Sequence, residues 1–300
     1  MKYTATSAAL AAVLMAGAGS VMAEGNSVFD SGKLLATGGV SQVEGAGGGG
    51  LTPWALITGY GTRDGIGANV HDTYIKLGDY TLNSYGAAVG LYDRVELSYA
   101  KQTFKGTSGA LSTLQIDQDV FGVKVKLFGD AVYDQDSWIP QVAVGLQSKT
   151  NTSISLGGGS LKPTALGAKS NDGTDFYVSA TKLYLAQSLL ANVTLRATKA
   201  NQFGLLGFGS ATDDKYKIEP EVSLAYLFTR KFAVGAEYRA KPNNLSGTVG
   251  SEDGAYDIFA AYFPTRNVSV TLAYVDLGTI APAFIPKKQQ GVYASVQFGF

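Results

Sequence analysis

The stretch GVYASVQFGF, residues 291–300, decides the fold. Val292, Ala294, Val296, Phe298 and Phe300 fall on one face of an extended chain, because successive side chains of a strand point to opposite sides. The same period of two runs back through the sequence. Val95, Leu97 and Tyr99 oppose Arg94, Glu96, Ser98 and Ala100, and Phe121, Val123, Val125 and Leu127 oppose Gly122, Lys124 and Lys126. Val142, Val144 and Leu146 alternate with Gln141, Ala143, Gly145 and Gln147, and Val193, Leu195 and Ala197 with Asn192, Thr194, Arg196 and Thr198. Further on, Val222, Leu224 and Tyr226 face away from Lys217, Glu219, Glu221 and Ser223; Val234, Ala236 and Tyr238 face away from Gly235, Glu237 and Arg239. A helix would place its apolar residues at steps of three and four, and these windows do not.

Alternation alone fits both a barrel in lipid and a soluble sandwich, since either has one apolar face. Connection lengths separate them. Short links fall near Tyr92-Asp93, Asp134-Gln135-Asp136, Gln187-Ser188, Thr229-Arg230 and Pro264-Thr265-Arg266. Between them come long, polar, Gly-rich links at 106–116, 151–173, 201–215, 242–253 and 278–289. Short turns at one end and long loops at the other are the mark of an up-and-down outer-membrane barrel. The strand segments are about ten to thirteen residues long, matching tilted membrane strands rather than the shorter strands of soluble sheets. Tyr and Phe also gather at their ends, as interfacial girdles require.

Eleven strands are predicted from Tyr80 onward, and Trp54 to Thr62 supplies a twelfth. Asn69 to Leu77 is either an external excursion or, paired with a segment near Leu34 to Glu44, raises the count to fourteen. The expected fold is therefore all-β, a transmembrane up-and-down antiparallel β-barrel of 12 strands, with 14 the alternative. The faces blur at Lys182-Leu183-Tyr184-Leu185, which points to a bulge. Ahead of the barrel, residues 1–23 have the form of a secretory signal peptide cleaved after Ala23. Residues 24–53 carry the run Gly47 to Gly50 and are either a flexible periplasmic tail or a plug inside the lumen; residues 54–300 are the barrel. The strand ending on Val296, Phe298 and Phe300 is similar to the C-terminal signal read by the barrel-assembly machinery. Outer-membrane lipid and that machinery are the expected partners, in the outer membrane of a Gram-negative bacterium.

Composition narrows the function. Basic and acidic residues balance at 24 each, so the clustered positive excess of a nucleic-acid binder is missing. With no Cys, disulfides, thiolate metal sites and thiol catalysis are excluded, and one His is too few for an imidazole zinc site. No metal and no cofactor are expected; Asp134, Asp136 and Asp213-Asp214 lack calcium-loop spacing and are turn formers.

Two runs, GKLLATGGVSQVEGAGGGGLTPWALITGYGT at 32–62 and SYGAAVGLYDRVELSYAKQ at 84–102, resemble a family of proteobacterial outer-membrane proteins catalogued as a domain of unknown function. The resemblance implies an outer-membrane barrel and brings no activity, substrate or catalytic residues.

If the apolar faces meet lipid, Glu96, Lys124, Lys126, Arg196, Lys217, Glu219, Glu221, Glu237 and Arg239 face the lumen. Such mixed charge suits a pathway for neutral or zwitterionic solutes, or a lattice of ion pairs that fills the interior. Glu219, Glu221, Glu237 and Arg239 come from neighbouring strands and are candidates for direct pairing and a constriction. His71, followed by Asp72 and placed in or near an external loop, is the sole candidate for hydrolytic catalysis; adjacent residues of an extended segment point apart, which spoils a dyad. The expected function is a passive channel or carrier for small solutes and not an enzyme. The alternative is a closed structural or interaction barrel with an ion-paired lumen.

Overall fold

A computed structural model describes residues 32–38 and 40–300; the signal peptide and residues 24–31 lie outside the described residues. The strands are β1 (Ile66–Leu77), β2 (Tyr80–Leu91), β3 (Val95–Gly106), β4 (Gln115–Phe128), β5 (Gln141–Leu156), β6 (Gly159–Leu161), β7 (Asp172–Tyr184), β8 (Leu189–Thr198), β9 (Lys217–Thr229), β10 (Phe232–Arg239), β11 (Ala255–Tyr262), β12 (Val268–Thr279) and β13 (Lys288–Gly299). All pairings are antiparallel, and the sheet closes where β1 meets β13. The three residues of β6 only extend a hairpin off the tip of β5, so the closed wall has twelve strands. Closure satisfies every strand edge, the condition for a sheet to cross lipid.

The strand at the seam corrects the sequence reading. β1 comes from the segment that contains Asn69 to Leu77, whereas Trp54 to Thr62 is not a wall strand and the barrel starts at Ile66 rather than residue 54. In β1, Asp72 and Lys76 sit on the outer face, so the alternation of IGANVHDTYIKL is muted. Tyr60 and Ala68 both donate their amides to the carbonyl of Phe300, at 3.1 and 2.8 Å, which ties the chain before β1 to the last residue of the wall.

Long connections collect at one end of the barrel (107–114, 157–171, 199–216, 240–254 and 280–287) and short turns at the other. Two connections depart from the pattern. Gly78-Asp79 is a two-residue turn at the long-loop end, and 129–140 is a twelve-residue excursion at the short-turn end, where a tight turn at Asp134-Gln135-Asp136 was expected. That excursion also explains the blurred faces of β7. No bulge exists there, since β7 and β8 stay in register from Phe176 to Tyr184. Instead the excursion covers Lys182, whose Nζ donates to the carbonyls of Asp130 (3.1 Å) and Asp134 (2.6 Å).

Outside the barrel, large apolar side chains stand bare: Ile218 and Ile258 are 64% and 61% exposed, with Leu97, Leu195, Leu224, Leu272 and Val292 beside them. Exposed Tyr and Phe border this belt, Tyr74, Tyr85, Phe121, Phe176 and Tyr274 towards the long loops and Phe128, Tyr226, Phe228 and Tyr262 towards the short turns. So continuous an apolar surface is stable only against lipid.

The lumen is filled. Residues 41–61 are buried throughout, threaded between the walls. Within this segment lie the bridges Ser41 to Gly47 and Gly48 to Pro53, and no strand. Of the two sequence-based readings of the Gly-rich segment, the described part is the plug.

Candidate functional site

The plug enters the barrel with Glu44 at its centre. Arg239 on β10 grips this carboxylate with both terminal nitrogens, at 2.9 and 3.0 Å, and Lys149 on β5 donates to it as well. Lys149 also meets Asp175 of β7 at 2.7 Å. Arg196 of β8 pairs with Glu221 of β9, donates to Gln147 at 2.6 Å, and lies 3.9 Å from Glu44. Arg239 closes the circuit on Glu221 at 3.3 Å. Three acids and three bases, all fully buried, thus neutralise each other, and one of the acids belongs to the plug. Strand alternation puts the wall residues here, because each sits on the polar parity of its strand.

A second tie lies towards the short-turn end. Glu96 on β3 accepts the amides of Gly47 and Thr58, both at 2.9 Å. Lys124 on β4 meets Glu96 at 2.9 Å and donates to the carbonyls of Gly47 and Leu56, both at 2.8 Å. Across the lumen Glu237 accepts the amide of Leu51 at 2.6 Å and the Thr52 hydroxyl at 2.8 Å. Thr194 holds the Pro53 carbonyl at 2.9 Å, and Ala55 donates to Thr181 at 2.7 Å. The glycine run makes this approach possible: a Cβ on Gly49 would stand 1.8 Å from Glu237 Oε1, and one on Gly47 2.9 Å from Glu96 Oε2.

Seven of the nine lumen candidates are therefore buried inside: Glu96, Lys124, Lys126, Arg196, Glu221, Glu237 and Arg239. Lys126 belongs to a separate group near the short turns, where Asp93 bridges it (2.7 Å) to Lys33 of the plug (2.8 Å). Lys217 and Glu219 share the inward parity but lie at the long-loop mouth, half-exposed, with Lys217 paired to Asp213 at 2.8 Å. Of the four residues expected to pair, Glu221 and Arg239 do so, whereas Glu237 serves the plug backbone and Glu219 stands apart. Sequence reasoning missed Glu44, Lys149, Asp175 and Asp257. The last three continue the lumen parity of their strands and were findable by extending it; Glu44 sits in a segment without periodicity.

His71 is not in an external loop. It lies on the lumen face of β1, opposite Gln297 and Gly86, buried, and neither ring nitrogen has a hydrogen-bond partner. Asp72 points outward, where Asn83 donates to it at 2.8 Å. No hydroxyl or carboxylate is hydrogen-bonded to this imidazole, so no dyad is assembled on it.

Loops close the long-loop end. Asn201–Gly204 folds inward, with Gln202 and Phe203 in left-handed conformations (φ 44° and 61°), and places the Phe203 ring 4.3 Å from the Arg239 guanidinium. Leu205, Leu206, Leu245, Val249 and Ile280 then join wall residues such as Ile75 and Phe104 in an apolar cap. Under this cap burial pushes the Glu252 carboxyl up and the neighbouring Lys241 ammonium down from their ordinary values. At the β1–β2 turn the Ser108 hydroxyl, with Gln289 and Lys287, pulls Asp79 down to about 2. At the opposite end a small apolar cavity of about 40 Å³, open at its mouth, separates the plug from the wall of β7 to β12.

Fold and site together define a class: a twelve-stranded membrane β-barrel whose lumen is occupied by its own N-terminal segment. The chain belongs to the family described as "Protein of unknown function (DUF3034)", whose model matches residues 37–297. No curated protein matches it. Among solved structures it is similar to the NanC porin (10% identity, covering 77% of this chain and 98% of that one, TM-score 0.49). It is also similar to the KdgM porin (8%, 77% and 99%, 0.47) and to the COG4313 outer membrane channel from Pseudomonas putida F1 (10%, 83% and 96%, 0.45).

Proposed function

We propose that this protein is an outer-membrane conduit for small solutes, shut at rest by its N-terminal plug. The observation that carries this reading is the nature of the plug's attachment. It adds no strand to the wall and, besides the Tyr60–Phe300 backbone bond and the packing of Val43, Leu51, Trp54 and Leu56, is held by side-chain hydrogen bonds and ion pairs, contacts that can be exchanged for water one at a time. The lipid-facing belt and the polar lumen support a location in the outer membrane of a Gram-negative cell. Val296, Phe298 and Phe300 act as the signal for the assembly machinery.

Swelling of proteoliposomes in sugars, amino acids and hydrocarbons of graded size tests this. The full chain is expected to pass the smallest solutes slowly, and a variant lacking residues 32–62 to pass them faster. Failure of the full chain to pass any solute would overturn the conduit. One observation favours a second reading, a sealed structural barrel: the apolar cap closes the end opposite the cavity. That reading predicts no flux in the full chain and a pore only after plug removal.

A further inference from the structure

The plug carries its own acid into a pocket that the wall builds for one. Arg239 meets both oxygens of Glu44, at 2.9 and 3.0 Å, Lys149 donates to the same carboxylate, and Arg196 stands 3.9 Å away. All three bases are buried. A guanidinium fork on both oxygens, with an ammonium beside it, matches the planar geometry of an organic carboxylate. The wall itself supplies only Asp175 and Glu221 to these three bases. It is therefore one negative charge short. Glu44 completes the count, yet it belongs to a segment that adds no strand.

The conduit reading requires a state in which the plug has withdrawn, and that state leaves the belt with an excess positive charge. A buried base without its acid is costly, and the cost falls when another carboxylate takes the place of Glu44. A neutral solute brings no such compensation, and an ammonium adds to the excess. Glu237, two positions nearer the short turns on β10, accepts from Leu51, Thr52 and Ser223, whereas the ion pairs of Arg239 run to Glu44 and Glu221.

The pocket faces the long-loop end. Arg239 is the last residue of β10, and the inward turn Asn201–Gly204 lies over it. The Phe203 ring is 4.3 Å from the guanidinium, and the Phe203 carbonyl accepts from Lys149 at 3.2 Å and from Gln118 at 3.3 Å. Gln202 and Phe203 hold left-handed conformations that are costly for residues with a side chain and persist only under such contacts. Exchanging those contacts for a solute lets the turn relax outward.

We infer that Arg239, Lys149 and Arg196 form the solute site of the conduit, that its ligands are small organic carboxylates, and that Glu44 fills it at rest as a surrogate displaced by the entering carboxylate. The inference rests on the conduit reading and names its substrate class.

Gluconate, sorbitol and protonated glucamine present one carbon chain with a carboxylate, a hydroxyl or an ammonium head. Purified full-length protein in detergent is titrated calorimetrically with each, at neutral pH and constant chloride. Saturable binding of gluconate is expected, with sorbitol and glucamine at least tenfold weaker. Glu44→Gln removes the competing acid, so gluconate should bind at least tenfold more tightly, because the pocket is then free for a larger fraction of the time. In that background Arg239→Gln and, independently, Lys149→Gln should each weaken gluconate at least tenfold. Heat-resistant electrophoretic migration confirms that each variant is folded. In protein carrying Ser41→Cys in the buried plug, saturating gluconate should accelerate maleimide labelling at least tenfold and sorbitol should not.

Sorbitol binding as tightly as gluconate, no gain in affinity from Glu44→Gln, or no saturable binding of gluconate to that variant would overturn the site. Gluconate binding without faster labelling would overturn the displacement of Glu44. Calorimetry needs no membrane, so the two failures separate. Gluconate binding with no flux of any solute into proteoliposomes removes the conduit alone, whereas flux of sorbitol without gluconate binding removes the site alone.

Discussion

Replacing Glu44 by Gln tests the latch most directly. The substitution keeps the shape and removes the charge that sits between Arg239, Lys149 and, at longer range, Arg196. Three buried bases are then left with Asp175 and Glu221, so the central belt carries one uncompensated positive charge. Removing one partner of a buried ion pair costs about 3–5 kcal/mol. An amide oxygen still accepts one hydrogen bond from Arg239, so the lower figure, about 3 kcal/mol, is the appropriate one. Each 1.4 kcal/mol is a factor of about ten in an equilibrium, so the population with the plug released should rise about a hundredfold.

The chain has no Cys, which gives a clean assay. Ser41 is fully buried and its hydroxyl has no hydrogen-bond partner, so Ser41→Cys breaks no contact of that group. The rate at which a bulky maleimide labels this thiol in folded protein measures how often the plug leaves. Glu44→Gln should accelerate labelling about a hundredfold. Asp213→Asn, which breaks an ion pair at the exposed mouth, should leave the rate unchanged, because solvent screens such a pair. A change of less than about threefold in the Glu44 variant, with the barrel still folded, would refute the latch.

Gly49→Ala places a methyl 1.8 Å from Glu237 Oε1, and overpacking of this kind costs about 1–3 kcal/mol; labelling at Ser41→Cys should accelerate roughly tenfold, and wild-type rates would show that the plug does not sit against Glu237. Deleting Phe300 removes the amide and carbonyl that pair with Ala68 and the carbonyl that accepts from Tyr60; the yield of folded barrel in the outer membrane should fall several-fold, and an unchanged yield would count against its role in assembly. Asp79 is held at about 2 by Ser108, Gln289 and Lys287. A depressed carboxylate contributes its stability above its unfolded value near 4 and loses it as the pH falls towards 2. Pepsin should therefore cut the 107–114 loop only near pH 2, and at higher pH in Ser108→Ala; identical profiles would show that the Ser108–Asp79 contact does not tether the loop.

Alternation carried most of the wall. It placed Arg196, Glu221 and Arg239 inside and Leu97, Leu195 and Leu224 outside, because a strand between lipid and a polar lumen has two chemically distinct faces. It failed where that contrast is weak. In β1, Asp72 and Lys76 lie outside and Ile75 and Leu77 inside, so the period is present but its sign is mixed. The plug has no period to find. Its fold is fixed by contacts to residues such as Glu237, which follows Leu51 by 186 positions, and nothing local in LTPWALITGY announces them. The inward loops are hidden for the same reason: Leu205, Leu245 and Ile280 become a cap only when three separate connections meet over the barrel mouth.

A wall of twelve strands also explains why the closure is polar. An eight-stranded barrel is filled by its own side chains, and a wider one leaves space. Here that space holds backbone, and backbone brings an amide and a carbonyl with every residue, each requiring a partner once buried. The run Gly47 to Gly50 removes side chains that would hold the plug off, so Glu96, Lys124 and Glu237 reach its peptide groups directly. An apolar plug in an apolar lumen would gain from every buried methylene and would be hard to withdraw. Ion pairs and hydrogen bonds are made against the competing attraction of water, so their net contribution is small compared with their number. In the proposed conduit, the same contacts that fix one register for the plug leave its release within reach of a single charge change, so Glu44, rather than any residue of the wall, is the place to test for control of the lumen.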